Sequence, residues 1–230
     1  MKKLVLAGLI ALVMSTSALA QSGSATLILA DKYATRGIVA TTEEVVQGVV
    51  DITLSNGIGL QIFENTDLTG VNGNERNATE LDLLPYYAFD INDELSAQVG
   101  IVQYTFPNTE YTDSYELFTK LFYSIYELDF WYDVDQVDSW YASVIVAPTL
   151  NLCEHWDVGL LGVLGYAGSK YNEAYFGTDQ YAFNDLTASA WVSYTVNSIS
   201  TALSYGYTWL PDSDIREGAE DIYMAKVKPV

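Results

Sequence analysis

Cysteine and histidine are almost missing: the 230 residues hold one Cys, Cys153, and one His, His155. A single thiol forms no internal disulfide and supplies no Cys cluster for zinc or iron–sulfur. A single imidazole leaves most histidine-based triads and metal sites without members. Base is scarce too. Ten Lys and Arg stand against 30 Asp and Glu, a formal net charge of −20, which repels phosphate backbones and excludes nucleic acid as a partner. The longest apolar run, Leu4 to Met14, falls short of the about 18 residues that a membrane-spanning helix needs. What the chain has in quantity is apolar and aromatic: 50% hydrophobic residues, with 18 Tyr, 8 Phe and 5 Trp. That content specifies a packed fold despite the charge.

Lys2 and Lys3 precede the Leu4 to Met14 run, and Ser15-Thr16-Ser17 and Ala18-Leu19-Ala20 follow it. These are the charged, hydrophobic and small-residue regions of a cleavable secretory signal peptide. The expectation is a signal peptide over 1–20 and one exported domain over 21–230, without a helical anchor.

The remaining chain alternates with a period of two. Leu128, Phe130, Tyr132 and Val134 interleave with Glu127, Asp129, Trp131 and Asp133. Ile199, Leu203, Tyr205, Tyr207 and Trp209 oppose Ser200, Ala202, Ser204, Gly206 and Thr208. Twelve strands are expected, at 24–36, 44–55, 58–66, 77–90, 93–105, 113–125, 127–135, 140–150, 156–168, 181–196, 199–210 and 221–230. The last rests on Tyr223, Ala225 and Val227 sharing a face. No segment carries a helical pattern over 12 residues.

Five tight turns, such as Ser55-Asn56-Gly57 and Asn197-Ser198, alternate with six longer polar links: 37–43, 67–76, 107–112, 136–139, 169–180 and 211–220. An even number of strands with short turns at one end and long loops at the other is the pattern of an outer-membrane barrel. A secreted β-sandwich alternates as well. Its strands are commonly about 5–6 residues, whereas these approach the about 9–11 of a tilted membrane strand. Aromatics gather near strand ends, at Tyr86/Tyr87, Tyr104/Phe106, Trp131/Tyr132, Trp140/Tyr141, Trp156 and Tyr207/Trp209, as interfacial girdles do. The reading is an all-β, 12-stranded antiparallel transmembrane β-barrel with both termini on the periplasmic side.

Tyr33-Ala34-Thr35-Arg36-Gly37-Ile38, followed by Val46-Gln47-Gly48-Val49-Val50-Asp51, resembles the opening of the TorF-type porin family. The motif positions are Tyr33, Arg36, Gly37, Gln47, Gly48 and Asp51. The resemblance covers residues 33–51 in motif and most of the chain in rhythm. It implies a Gram-negative outer-membrane barrel that passes solutes of undefined identity.

Candidate chemistry is thin. His155 sits in a tight turn beside Cys153 and Glu154, at the end opposite the long loops, where an outer-membrane phospholipase pair would not be placed. Loop 67–76 offers oxygen ligands without EF-hand spacing, and loop 211–220 offers Asp212, Asp214, Glu217 and Glu220 to divalent ions bridging lipopolysaccharide phosphates. Solvated loops are the preferred reading of both. No enzyme, metal or cofactor is expected.

Placing the small, polar parity inward makes Asp51, Glu80, Asp82, Glu116, Asp129 and Asp185 candidate pore-lining acids, with fewer inward bases: Arg36 and Lys120, and Lys226 and Lys228 near the end. A Lys facing lipid at mid-depth would cost about 2–4 kcal/mol. Inward acids in excess attract cations. The expected function is therefore passive diffusion of small hydrophilic solutes with a cation preference, in contact with outer-membrane lipid and lipopolysaccharide. The alternatives are a closed structural or adhesion barrel, and a soluble secreted β-sandwich that binds a ligand.

Overall fold

The computed structural model describes residues 20–70 and 75–226. Residues 1–19 of the expected signal peptide, 71–74 of the 67–76 link, and 227–230 lie outside the described residues. In chain order the strands are β1 (Ala20–Ala30), β2 (Tyr33–Thr35), β3 (Ile38–Thr41), β4 (Val45–Leu54), β5 (Ile58–Asp67), β6 (Asn77–Asp90) and β7 (Leu95–Thr105). Then come β8 (Ser114–Tyr123), β9 (Tyr126–Asp133), β10 (Ser139–Val146), β11 (Thr149–Cys153), β12 (Trp156–Ala167), helix α1 (Ser169–Phe176), β13 (Ala182–Val196), β14 (Ile199–Trp209) and helix α2 (Ser213–Lys226).

The fold is all-β, built on an antiparallel sheet of 12 strands in the order β1-β4-β5-β6-β7-β8-β9-β10-β12-β13-β14, with β11 also on β12. Neighbours in sequence are neighbours in the sheet, as short turns dictate. The two large packed sheets of a sandwich are not formed among the described residues. Twelve is reached differently from the sequence expectation. Val146 pairs with Gly162 and Thr149 with Gly159, so β10 and β11 are one row interrupted at Pro148, which has no N–H for the ladder.

The expected last strand, 221–230, is corrected: residues up to Lys226 belong to α2. The reason is capping. The Asp212 carboxylate accepts from the N–H groups of Asp214 (2.9 Å) and Ile215 (3.3 Å), the role of a helix N-cap. Ile215 is then fully buried beside Phe176. The link 211–220 is thus not an open acidic loop, and 169–180 holds α1. Because β1 starts opposite Leu54 at a tight-turn end and β14 finishes opposite Leu186 at the long-link end, the sheet starts and stops at opposite ends. β1 and β14 are its two edges, and no pairing closes it among the described residues.

A second correction concerns 24–36. β1 stops at Ala30, and the charged pair Asp31 and Lys32 stays exposed outside any strand. β2 and β3 form a separate two-stranded sheet. Its turn, Arg36 (φ 50°) and Gly37 (φ 79°), has both φ values positive, as a type I′ hairpin requires. What read as a polar link from Gly37 is the return strand of a hairpin.

That hairpin sits in the concavity of the large sheet. Tyr33 meets the Phe63 ring of β5 at 5.8 Å, while a Cβ built on Gly37 would lie 3.3 Å from Asp185 Cβ of β13. Eight sheet rows run from β5 to β13, and at about 4.8 Å per row a flat sheet would hold them about 34 Å apart. One hairpin reaches both because the sheet curls around it.

The two faces of the curl are opposite in chemistry. Leu117, Leu128 and Leu160 point outward and are 50%, 49% and 57% exposed. Inward, Asp67, Glu80, Asp82, Glu116, Asp129, Asp133 and Asp185 are buried. An apolar cluster of Leu84, Tyr86, Val102, Phe118, Trp131 and Tyr141 on the wall packs with Tyr171, Phe176 and Ile215 of the helices. Glycines make room for the inward aromatics: Gly59 faces Tyr86, Gly100 faces Phe118 and Gly159 faces Trp191 across the ladder. A Cβ at any of the three would lie under 3 Å from the facing ring.

Candidate functional site

Between hairpin, wall and helices lies a partly open cavity of about 1180 Å³. Its inner wall is set by strand parity, so each charged side chain is held by its ladder register. Glu80 and Asp82 lie two residues apart on β6, hence on one face. Lys120 of β8 stands directly opposite Asp129 of β9, and Phe118 opposite Trp131.

Arg36 reaches this wall from the hairpin tip. Its Nη1 lies 2.9 Å from both carboxylate oxygens of Glu116, and Nη2 donates to the Tyr104 hydroxyl at 3.2 Å. Tyr104 in turn donates to Glu116 at 2.8 Å. The guanidinium carbon stands 4.5 Å from the Trp131 ring centre and 5.3 Å from that of Tyr141, within cation–π range. The other face of the pattern is Lys120, whose Nζ lies 3.1 Å from Glu127 and 3.5 Å from Asp129.

The remaining acids have weaker company. Asp185 accepts from the Tyr141 hydroxyl at 2.9 Å, and Asp51 from the Tyr86 hydroxyl at 2.8 Å. Glu80 accepts from the Tyr33 hydroxyl at 3.3 Å. Asp82 and Asp129 each bury one carboxylate oxygen, Oδ1, with no hydrogen-bond partner.

All eight candidate lining residues therefore come to the interior side, and seven do so from wall strands. Arg36 is the exception, because it belongs to the inserted hairpin. Asp51 borders Tyr86 and Gln61 and does not line the cavity, whereas the other seven do. Among the motif residues, Tyr33, Arg36 and Gly37 lie on the hairpin and Gln47, Gly48 and Asp51 on β4. Gln47 donates to Asn65 at 3.1 Å in a buried network that ties Thr41, at the hairpin's end, to Asp67 at 2.9 Å.

Four inward aromatics, three of which (Tyr104, Trp131 and Tyr141) contact Arg36 of the hairpin, were read in the sequence only as aromatic girdle. Tyr86, Tyr104, Trp131 and Tyr141 point inward, while Tyr87, Tyr132, Trp140 and Trp156 point outward. Tyr207 and Trp209, on the edge strand β14, border the cavity, with the Arg216 guanidinium carbon 5.8 Å from the Trp209 ring centre. The signal was available: each inward aromatic shares parity with an acid on its strand or a neighbour. His155 packs edge-on against Tyr194 at 5.7 Å in its tight turn, and Cys153 is exposed. Among the described residues, no group of three or more His, Cys, Asp and Glu side chains converges as metal ligands would. No helix there is long and apolar enough to cross a membrane, which says nothing of crossing by strands.

No curated protein and no solved structure matches this chain. A family model does, over residues 15–209, ending on the last residue of β14 and leaving α2 outside it. Its description is "Bacterial protein of unknown function (Gcw_chp)", and the chain belongs to that Gcw_chp family.

Proposed function

We propose that this is a porin-like outer-membrane protein, exported by a cleaved signal peptide. In this reading the curled sheet spans the bilayer as a barrel and small hydrophilic solutes diffuse through its interior, cations preferred. One observation carries the reading: along most strands the outward face carries exposed large apolar side chains, Leu83, Leu117, Leu128, Leu160 and Leu186 among them, while seven acids of the inward face are buried. Soluble monomers rarely expose an apolar patch beyond about 300–600 Å², and lipid is the solvent that suits such a surface. The TorF-type resemblance at 33–51 points the same way. Cation preference rests on the cavity's five acids, Glu80, Asp82, Glu116, Asp129 and Asp185, against Arg36, Lys120 and Arg216.

The test is conductance of the refolded protein in planar bilayers. Reversal potentials at about 0.1 M salt, where the Debye length is about 10 Å, should favour cations. At about 1 M it is about 3 Å, and the preference should fade. Anion preference refutes the lumen assignment. Inserted protein without conductance favours the second reading, a closed structural barrel, for which the hairpin clamped by Arg36 and Glu116 is the supporting feature.

A further inference from the structure

The cavity wall contains an acidic pair with no cation of its own. Arg36 is engaged by Glu116 and Lys120 by Glu127 and Asp129. Arg216 donates to the carbonyl oxygens of Leu210 and Pro211. Glu80 and Asp82 make no ion pair among the described residues, although both line the cavity and are only 9% and 6% exposed. One oxygen of Asp82 has no hydrogen-bond partner at all. The two carboxyls hydrogen-bond each other and so hold a proton between them. Ionising the pair fully in this buried place is costly without a positive group, and the chain supplies none by ion pair.

Two features narrow what that group is. No third His, Cys, Asp or Glu converges on the pair among the described residues, which argues against a divalent metal, since Ca²⁺ takes six or more oxygens and Mg²⁺ a near-ideal octahedron. Beside the pair stand the rings of Tyr33 and Phe63, 5.8 Å apart, an apolar wall for a carbon body. The cavity, at about 1180 Å³, exceeds the about 300–1,000 Å³ of ordinary small-molecule sites.

We propose that Glu80 and Asp82 form a binding site for an organic cation, a primary ammonium on a short carbon chain that packs against Tyr33 and Phe63. This names a solute class for the interior and rests on the porin reading for its route of entry. The geometry follows the one the protein already uses for Arg36, a cation held by carboxylate on one side and aromatic rings on the other.

The experiment is calorimetric titration of the refolded full chain in detergent with n-butylammonium chloride, at about neutral pH. Saturable one-to-one binding is expected, absent with 1-butanol or NaCl at the same concentration. Asp82→Asn and Glu80→Gln should each weaken it tenfold or more, and Asp51→Asn, on the same wall but outside the cavity, should leave it unchanged. Folding of each variant is checked by the heat-dependent gel shift, and either acidic variant alone suffices if the other does not fold. Equal affinity in the acidic variants, or no binding by folded wild type, overturns the site. Conductance without butylammonium binding leaves the channel standing and removes the site. Binding without conductance keeps the site and removes the passage.

Discussion

Arg36 at the tip of the β2–β3 hairpin and Glu116 on β8, 80 residues apart in sequence, share a two-oxygen ion pair with both contacts at 2.9 Å. The pair is the single charged link between the inserted hairpin and the wall among the described residues, and both side chains are largely buried, at 17% and 6% exposure. Its position fixes where the hairpin stands in the concavity and therefore how much of the cavity it fills.

Removing one partner of such a pair strands the other. Arg36→Met should lower stability by about 3–5 kcal/mol, read as the urea midpoint of tryptophan fluorescence in detergent. Arg36→Met with Glu116→Gln should recover a large part of the loss, since the uncompensated carboxylate is gone. Equal stability of the single variant and wild type would mean that the hairpin is held by Trp131, Tyr141 and the helices alone.

Gly100 lies under Phe118, and a Cβ there would stand 2.5 Å from the Pro85 carbonyl oxygen and 2.7 Å from the Phe118 ring. The carbonyl belongs to a ladder and cannot swing away. Gly100→Ala should therefore cost about 1–3 kcal/mol, as overpacking does, whereas Gly162→Ala, whose Cβ meets nothing within 4 Å, should be near neutral. A comparison of thermal midpoints in one detergent decides it.

Strand positions and face assignments were legible in the sequence because parity and turn residues are local. The first eleven expected segments each overlap a row of the sheet, and Lys120 lies on the inward parity, paired with Glu127 and Asp129. The hairpin was not legible. Arg36-Gly37 carries a two-residue turn signal, but β2 has only three residues and β3 four, too few to show alternation. The helix α2 escaped for a different reason. Tyr223, Ala225 and Val227 alternate as a strand would, and only the cap at Asp212 and the burial of Ile215 against Phe176 select the helix. The pairing of Arg36 with Glu116 is long-range and had no local trace beyond opposite charge.

At the long-link end, Asp138 and Lys170 pair at 2.8 Å with both side chains mostly exposed. The Lys170 ammonium, and after it the Tyr132 hydroxyl, hold the Asp138 carboxyl below its ordinary value. A depressed carboxylate adds stability above its ordinary range and loses it as pH falls through the lowered value. The contribution is small because exposed pairs are screened. An NMR titration should place Asp138 below free aspartate, return it toward the ordinary value in Lys170→Met, and shrink the shift at about 1 M salt. An Asp138 that titrates identically in both proteins would dissolve the pair.

Spin labels placed one at a time along β12, at Leu160, Leu161, Gly162, Val163 and Leu164, test the membrane-spanning claim most directly once the protein is reconstituted in lipid. Residues 160, 162 and 164 face outward, while 161 and 163 face the interior. Sequence hydrophobicity alone does not separate them, since Leu occupies both parities, with Gly162 on the outward one and Val163 on the inward one. Collision with lipid-dissolved oxygen should be high at 160, 162 and 164 and low at 161 and 163. A water-soluble nickel complex should not reach 160 and 164. Ready access of the nickel complex to 160 and 164, or no alternation in oxygen collision, would contradict a lipid-facing sheet and with it the porin reading.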